Sequence, residues 1–296
     1  MAFVRIDGVA HHVLVDGTGP LCVLSPGLGM CWFDWDPVVP LLSPHRTVVR
    51  FDRPGLGLSG HARAWPTLTG EARRIPAVLQ ALGLDGPATV VGHSLAGFHA
   101  EAFARLFPTR AAGLVLVDSS LEEEPRPRRA RAVRDTATRA CGTLASAAGL
   151  PRAAGPLVRR AAVRAGRVGG GEPAPWALVR RAYSTSRWLH AVLAENATYA
   201  DQAVALAALR TDAGLPTGLP VTVLAADDPR RPAHRRHDWL ARQRELAESL
   251  GGTFRVSAPA GHLVMLDRPR DVADAVLHTR APAPRGRGAG ARPLSR

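Results

Sequence analysis

The chain contains no lysine: all 38 of its basic Lys/Arg positions are arginine, against 25 acids, for a net charge of +13 over 296 residues. Positive charge carried by arginine alone points to a compositional bias at the coding level as much as to selection for a basic surface. Charge by itself therefore specifies no nucleic-acid partner. Cysteine is scarce. Cys22, Cys31 and Cys141 form an odd set without metal-type spacing, which argues against a disulfide framework or a cysteine-rich zinc site and fits a reducing compartment. No apolar run approaches the length of a bilayer span, and the opening stretch MAFVRIDGVAHH has no hydrophobic signal core. The expectation is a soluble, cytoplasmic protein with no membrane partner, no metal and no cofactor.

What the chain does have is apolar bulk. At 46% hydrophobic it can bury a full core, so global disorder is excluded, and its length suits one large α/β domain with an insertion. The positive charge is unevenly placed: 121–187 hold 14 arginines against five acids, and 280–296 hold five arginines and no acid. In both stretches the arginines stand among Ala, Gly and Pro, without the aromatic or motif context of a nucleic-acid reader. The tail 280–296 reads as disordered and solvated, and no specific nucleic-acid partner is expected.

Along the first 120 residues, short β-branched runs alternate with helix-like stretches. FVRI (3–6) and HHVLV (11–15) are opening strands. LCVLS (21–25), TVVRF (47–51), ATVVG (88–92) and GLVLV (113–117) are continuous apolar runs of the kind buried on both faces of a parallel sheet. Helices are expected near 70–82 and 95–107. Between 121 and about 215 no strand is evident, and Ala/Arg helices are expected, broken by Pro151, Pro156 and GGGEPAP (169–175). The alternation then resumes with PVTVLAA (220–226), a helix near 235–250, FRVS (254–257) and a last helix near 270–278. The pattern predicts an α/β fold with a mostly parallel central sheet flanked by helices. Its core is 1–120 plus 216–279, with 121–215 as a helical cap inserted after the sixth strand.

The sharpest chemical signal is Gly92-His93-Ser94-Leu95-Ala96-Gly97, which follows a strand and opens a helix. A serine on so tight a turn stands clear of the sheet edge, and crowding requires small residues two before and two after it, here Gly92 and Ala96. The alternative is a packing turn with a capping serine, and the strand–turn–helix context favours a nucleophile. Such a serine needs a base. Of 11 histidines, His262 follows the strand FRVS and precedes the last helix, on a loop at the same sheet edge as Ser94. His93 is expected to point away from Ser94, and His11, His12, His45 and His61 are expected to cover the surface.

From Leu21 to the helix after Pro269 the chain resembles the α/β-hydrolase superfamily, in its capped, serine-nucleophile form. The matching pieces are Ser25-Pro26-Gly27-Leu28-Gly29, Phe51-Asp52-Arg53-Pro54-Gly55-Leu56-Gly57-Leu58-Ser59, the Gly92–Gly97 turn, Gly113–Asp118, and Gly261-His262 with Asp267-Arg268-Pro269. The resemblance implies an oxyanion site made by the backbone N–H groups of Leu28 and Leu95. The family's usual His-Gly-x is Pro26-Gly27-Leu28 here, a departure that changes how the loop is braced without removing a backbone donor. The segment 52–59 is implied to be a shaped turn beside the pocket. The acid of the triad is implied after the strand that follows the cap, at Asp228 in AADDP beside Asp227, or one strand earlier at Asp118. Asp228 is preferred on register, although the family's usual glycine is missing there.

The function implied is a serine hydrolase that cleaves an ester, thioester, lactone or related acyl bond of a small, mostly apolar molecule through an acyl-enzyme. A serine at this turn argues against the aspartate-nucleophile chemistry of haloalkane dehalogenases and epoxide hydrolases. Haloperoxidase- or perhydrolase-like activity without a cofactor is a variant of the same site. A ligand-binding protein with little turnover is a second class, and an arginine-driven anion or nucleic-acid binder a third. Trp176, Tyr183, Trp188 and Tyr199 either roof the pocket or pack within the cap. Packing is expected for each.

Overall fold

In the computed structural model, which describes residues 2–279, the alternating runs become eight strands of one sheet. They are β1 (Ala2–Ile6), β2 (Val9–Asp16), β3 (Leu21–Ser25), β4 (Thr47–Phe51), β5 (Ala88–His93), β6 (Ala111–Val117), β7 (Val221–Ala226) and β8 (Thr253–Ser257), in the order β1-β2-β4-β3-β5-β6-β7-β8. β2 runs antiparallel to both neighbours and the other pairings are parallel. The sheet is doubly covered because its central strands alternate between two apolar faces. Val23, Val49, Val90 and Leu114 pack on one side with α2 (Leu68–Ala81), α3 (Ala96–Leu106) and α8 (Ala233–Ser249). Cys22, Val48, Val91 and Val115 pack on the other with α1 (Val39–Leu42), α9 (Val264–Asp267) and α10 (Pro269–Leu277). At roughly 1.5–3 kcal/mol per buried large aliphatic side chain, these two layers dominate the driving force. The parallel registers end together, with Ser25 beside Gly92, His93 beside Val117, and Val117 beside Leu224. Every loop that leaves a strand C-terminus in this set emerges at one edge.

Four helices lie between β6 and β7: α4 (Arg131–Ala147), α5 (Leu150–Gly166), α6 (Trp176–Tyr183) and α7 (Ser186–Asp212). One expected break in this region does not occur. α4 ends at Ala147 and Pro151 sits in the first turn of α5, where a missing N–H costs nothing, as expected of a break there. Pro156, however, is carried inside α5. The segment 169–175 does separate α5 from α6. The tail 280–296 lies outside the described residues. Among the described residues no helix is long and apolar enough to cross a membrane.

The motif at 52–59 is a hydrogen-bonded hub. The Asp52 carboxylate accepts from the Trp32 and Leu58 N–H groups at 2.9 and 3.0 Å and from His12 Nδ1 at 2.9 Å. Ser59 Oγ donates to the Asp52 carbonyl and accepts from the His12 N–H. Gly57, at φ +50°, leaves the space that Asp52 fills, since a Cβ there would overlap the carboxylate. Two histidines expected at the surface are therefore interior. His12 and His11 are fully buried, and burial together with the Arg74 guanidinium lowers the pKa of His11. His45 and His61 are exposed as expected.

Burial also separates the three thiols. Cys22 and Cys31 are buried and Cys141 is exposed. Burial pushes the Cys22 thiol up to about 12. Burial first, and then the Asp52 and Asp34 carboxylates, hold Cys31 well above its ordinary value. At pH 8 the native protein should release one fast equivalent of thionitrobenzoate from 5,5′-dithiobis(2-nitrobenzoic acid), and all three in guanidinium. More than one fast native equivalent would contradict this packing.

Candidate active site

β5 ends at His93 and α3 begins at Ala96, so Ser94 occupies the turn between them. It is held at φ +52°, a left-handed conformation that costs a non-glycine residue about 1–3 kcal/mol. The turn is pinned by the Ser94 N–H on the Val117 carbonyl at 3.2 Å. The Gly97 and Ser120 N–H groups bond the Ser94 carbonyl at 2.9 and 3.1 Å. Crowding is severe: a Cβ on Gly92 would collide with the Ala96 carbonyl, and one on Gly97 with the Ser119 side chain. The small residues around the serine are thus steric requirements of the turn.

Ser94 and His262 line one cavity of about 200 Å³, together with Leu28, Met30, Val163 and Leu263. His262 Nδ1 lies 2.6 Å from Asp118 Oδ2. A carboxylate only accepts, so Nδ1 carries the proton and Nε2 presents its lone pair. Asp118 follows β6, is buried, and is itself fixed. Its Oδ1 accepts from the Ala226 N–H at 2.9 Å and from the Trp239 indole at 2.7 Å.

Asp228, the acid preferred on sequence, does not meet His262. Its carboxylate is taken by Arg230, with Nε at 2.9 Å and Nη2 at 2.7 Å, and hydrogen bonding to Arg230 lowers its pKa. Arg230 also donates to the carbonyls of Ala165 and Arg167 at the end of α5, so Asp228 serves a tether between this loop and the insertion. Asp227 pairs with Arg236 at 2.6 and 2.7 Å. The structure places only Asp118, the alternative from the earlier strand, against the histidine.

The loop that carries His262 is anchored from three sides. Gly261 N–H donates to Asp267 at 3.0 Å and Leu263 N–H to the Gly166 carbonyl at 2.9 Å. His93 supplies the third anchor, with Nε2 at 2.9 Å from the His262 carbonyl. Burial first, and then the neighbouring His262, push the pKa of His93 well below its ordinary value. It is neutral, with its proton on the nitrogen that faces the carbonyl. His93, expected only to point away from Ser94, holds the backbone of the histidine loop.

The Leu28 and Leu95 N–H groups donate to no acceptor among the described residues. Gly27 makes room beside them, because a Cβ there would lie 2.7 Å from His93 Nδ1 and 3.1 Å from Ser94 Cβ. Arg159 of α5 reaches the cavity, but Asp34, Glu172 and the Tyr183 hydroxyl occupy its guanidinium. Its charge is balanced within the protein. Tyr183 and Trp188 pack with tilted rings at 5.2 Å in a buried cluster with Phe33, Tyr199 packs on Phe98, and Trp176 is exposed. None of these four aromatics lines the cavity.

Residues 22–275 match the model of the alpha/beta hydrolase family. The chain belongs to the α/β-hydrolase family. An uncharacterised Mycobacterium tuberculosis protein is 31% identical over 119 residues, which span 40% of this chain and 35% of that protein. The 2-hydroxy-6-oxo-6-(2'-aminophenyl)hexa-2,4-dienoic acid hydrolase of Metapseudomonas resinovorans is 28% identical over 136 residues, 42% of this chain and 46% of that enzyme. The matched stretches thus cover less than half of these relatives. Among solved structures, the enol-lactonase of Burkholderia xenovorans superposes with a TM-score of 0.63 at 22% identity, covering 93% of this chain and 98% of that one. That similarity shows the α/β-hydrolase fold.

Within this family fold, two supports were not singled out on sequence. Arg53 lies in the quoted 51–59 motif, yet its partner Glu195 is 142 positions away on α7, and no local pattern links them. Trp239, which bonds Asp118, is likewise one indole among six tryptophans. The steric reading of the turn is open to test. Gly92→Ala should lower stability by about 1–3 kcal/mol in a urea titration, because the backbone carbonyl it meets cannot retreat without opening α3. An unchanged midpoint would refute the crowding.

Proposed function

We propose that the chain is a serine hydrolase that acts on an ester or related acyl bond of a small, mostly apolar molecule. Ser94 Oγ attacks the carbonyl carbon while His262 Nε2 takes its proton, and Asp118 stabilises the resulting imidazolium and fixes its orientation. The carbonyl π-pair moves to oxygen, and the Leu28 and Leu95 N–H groups receive that oxyanion. The tetrahedral centre collapses, the C–O bond to the leaving group breaks, and His262 returns the proton to the departing oxygen. Water repeats the sequence on the acyl-enzyme, releasing the acid and restoring Ser94.

The observation that carries this reading is that His262, paired with the buried Asp118 at 2.6 Å, lines the same cavity as a serine in a strained strand-to-helix turn. The cavity's apolar walls and small volume favour a short acyl group, and the internally balanced Arg159 leaves little attraction for an acidic one. On this reading the partner is a small-molecule substrate and the helices between β6 and β7 form the lid.

A fluorophosphonate probe should give one stoichiometric adduct, mapped by peptide mass to Ser94 and lost in His262→Ala. Asp118→Asn should lower kcat by about 10⁴, the cost of the wrong imidazole tautomer in such sites, whereas Asp228→Asn should leave kcat close to wild type. The opposite ranking would transfer the acid to Asp228. No adduct on folded protein would favour a ligand-binding role. Among p-nitrophenyl esters, acetate and butyrate should be turned over in preference to palmitate.

A further inference from the structure

The loop between β3 and the Trp32 turn is fixed by a buried charge pair that reaches across from the insertion. Arg53 is 2% exposed and the Glu195 side chain 6%. Arg53 Nε donates to Glu195 Oε1 at 2.6 Å, Nη1 donates to the Pro26 carbonyl, and Nη2 to the Gly27 carbonyl at 2.7 Å. The other carboxylate oxygen, Glu195 Oε2, accepts from the Gly29 N–H at 2.8 Å. Trp188 Nε1 donates to the Gly29 carbonyl at 3.2 Å. Trp188 and Glu195 are both on α7, seven residues and about two turns apart, and therefore share a face.

The geometry of the peptide group gives these bonds a direction. In a planar trans peptide the C=O and N–H point in opposite directions. The Gly27 carbonyl and the Leu28 N–H belong to the same peptide plane. Holding that carbonyl on Arg53 therefore aims the Leu28 N–H the other way. The next plane, between Leu28 and Gly29, is held by Glu195 through its N–H. Both planes that flank Leu28 are thus set. The cationic donor on the Gly27 oxygen also polarises that peptide and strengthens its N–H as a donor.

We propose that Arg53 and Glu195, with Trp188, are positioning residues that aim the Leu28 N–H into the oxyanion site, so that α7 of the insertion completes it. The inference rests on the serine-hydrolase reading above. The loop that carries the sequence departure at Pro26 is thus braced by a planar guanidinium from the next turn. A lysine could not replace that fork: three donor directions are used at once, on one carboxylate and two successive carbonyls.

The test uses the full chain with Arg53→Lys, Glu195→Gln and Trp188→Phe, each checked for fold by near-UV circular dichroism and for active sites by fluorophosphonate titration. We expect kcat per titrated site to fall about 10- to 100-fold in Arg53→Lys, with smaller losses in the other two. KM and the midpoint of the pH–kcat/KM profile should stay at wild-type values. Phenylboronic acid, which adds to Ser94 as a tetrahedral boronate with an oxygen in the oxyanion site, should bind more weakly by the same factor as the fall in kcat. If the pair were merely structural, the number of titratable sites would fall while kcat per site and boronate affinity held, and that result would overturn the proposal. A wild-type chain that takes neither the probe nor the ester would remove the hydrolase reading itself, and the brace with it.

Discussion

Ser94 at φ +52° is a conformation that a side-chain-bearing residue keeps only when its neighbours leave no alternative. Here the neighbours are β5 and β6 below and α3 in front, and each makes a demand of its own. The turn must clear the Ala96 carbonyl, so position 92 has no side chain. The first turn of α3 must pass Ser119, so position 97 has none either. The Ser94 N–H must reach Val117 across the β5–β6 pairing, so those two strands end in register. The loop after β6 is then committed to run beside the turn, and Asp118 is brought to the same edge. One strained residue therefore ties together the strand register, the small residues and the course of the adjacent loop.

Electrostatics in the interior follow from what covers that edge. The insertion is rich in arginine. Some of these arginines, with one from the core, fasten the two together. Arg159 joins α5 to Asp34 of the core and to Glu172. Arg167 joins the end of α5 to Asp267 below the histidine loop, and Arg230 reaches back from the core to α5 carbonyls while holding Asp228. Removing one member of the buried Arg159 cluster leaves a buried charge without compensation, which costs more than the pair itself contributes. Their arrangement therefore specifies where the insertion sits more than it adds net stability.

The inner strands β3 to β7 were legible because parallel strands buried on both faces have to be continuous apolar runs, and β1, β2 and β8 were legible as mixed runs beside them. The serine turn and His262 were legible for a related reason: a sharp turn and a loop beside it demand particular small residues at fixed offsets. The acid was not. Asp118, Asp227 and Asp228 all leave strands at the same edge, and local pattern carries no term for which of them an arginine will capture. Arg230 and Arg236 take the latter two, and only side-chain placement reveals this. His11 and His12 were misread for the same cause. A polar side chain enters the interior when a buried partner awaits it, and those partners are Arg74 and Asp52.

The absence of lysine, which at first reads as a bias of coding, meets a structural need at these buried positions. Arg53 serves one carboxylate and two carbonyls, and Arg159 two carboxylates and a phenol. Each uses divergent donors of a rigid plane within a nearly closed environment. An ammonium group would place three donors about one point on a flexible stem, leaving at least one of these acceptors buried and unmet. A chain with only arginine can still place its solvated charges anywhere. At its buried junctions, however, arginine is the one cation that could span the acceptors the fold puts there.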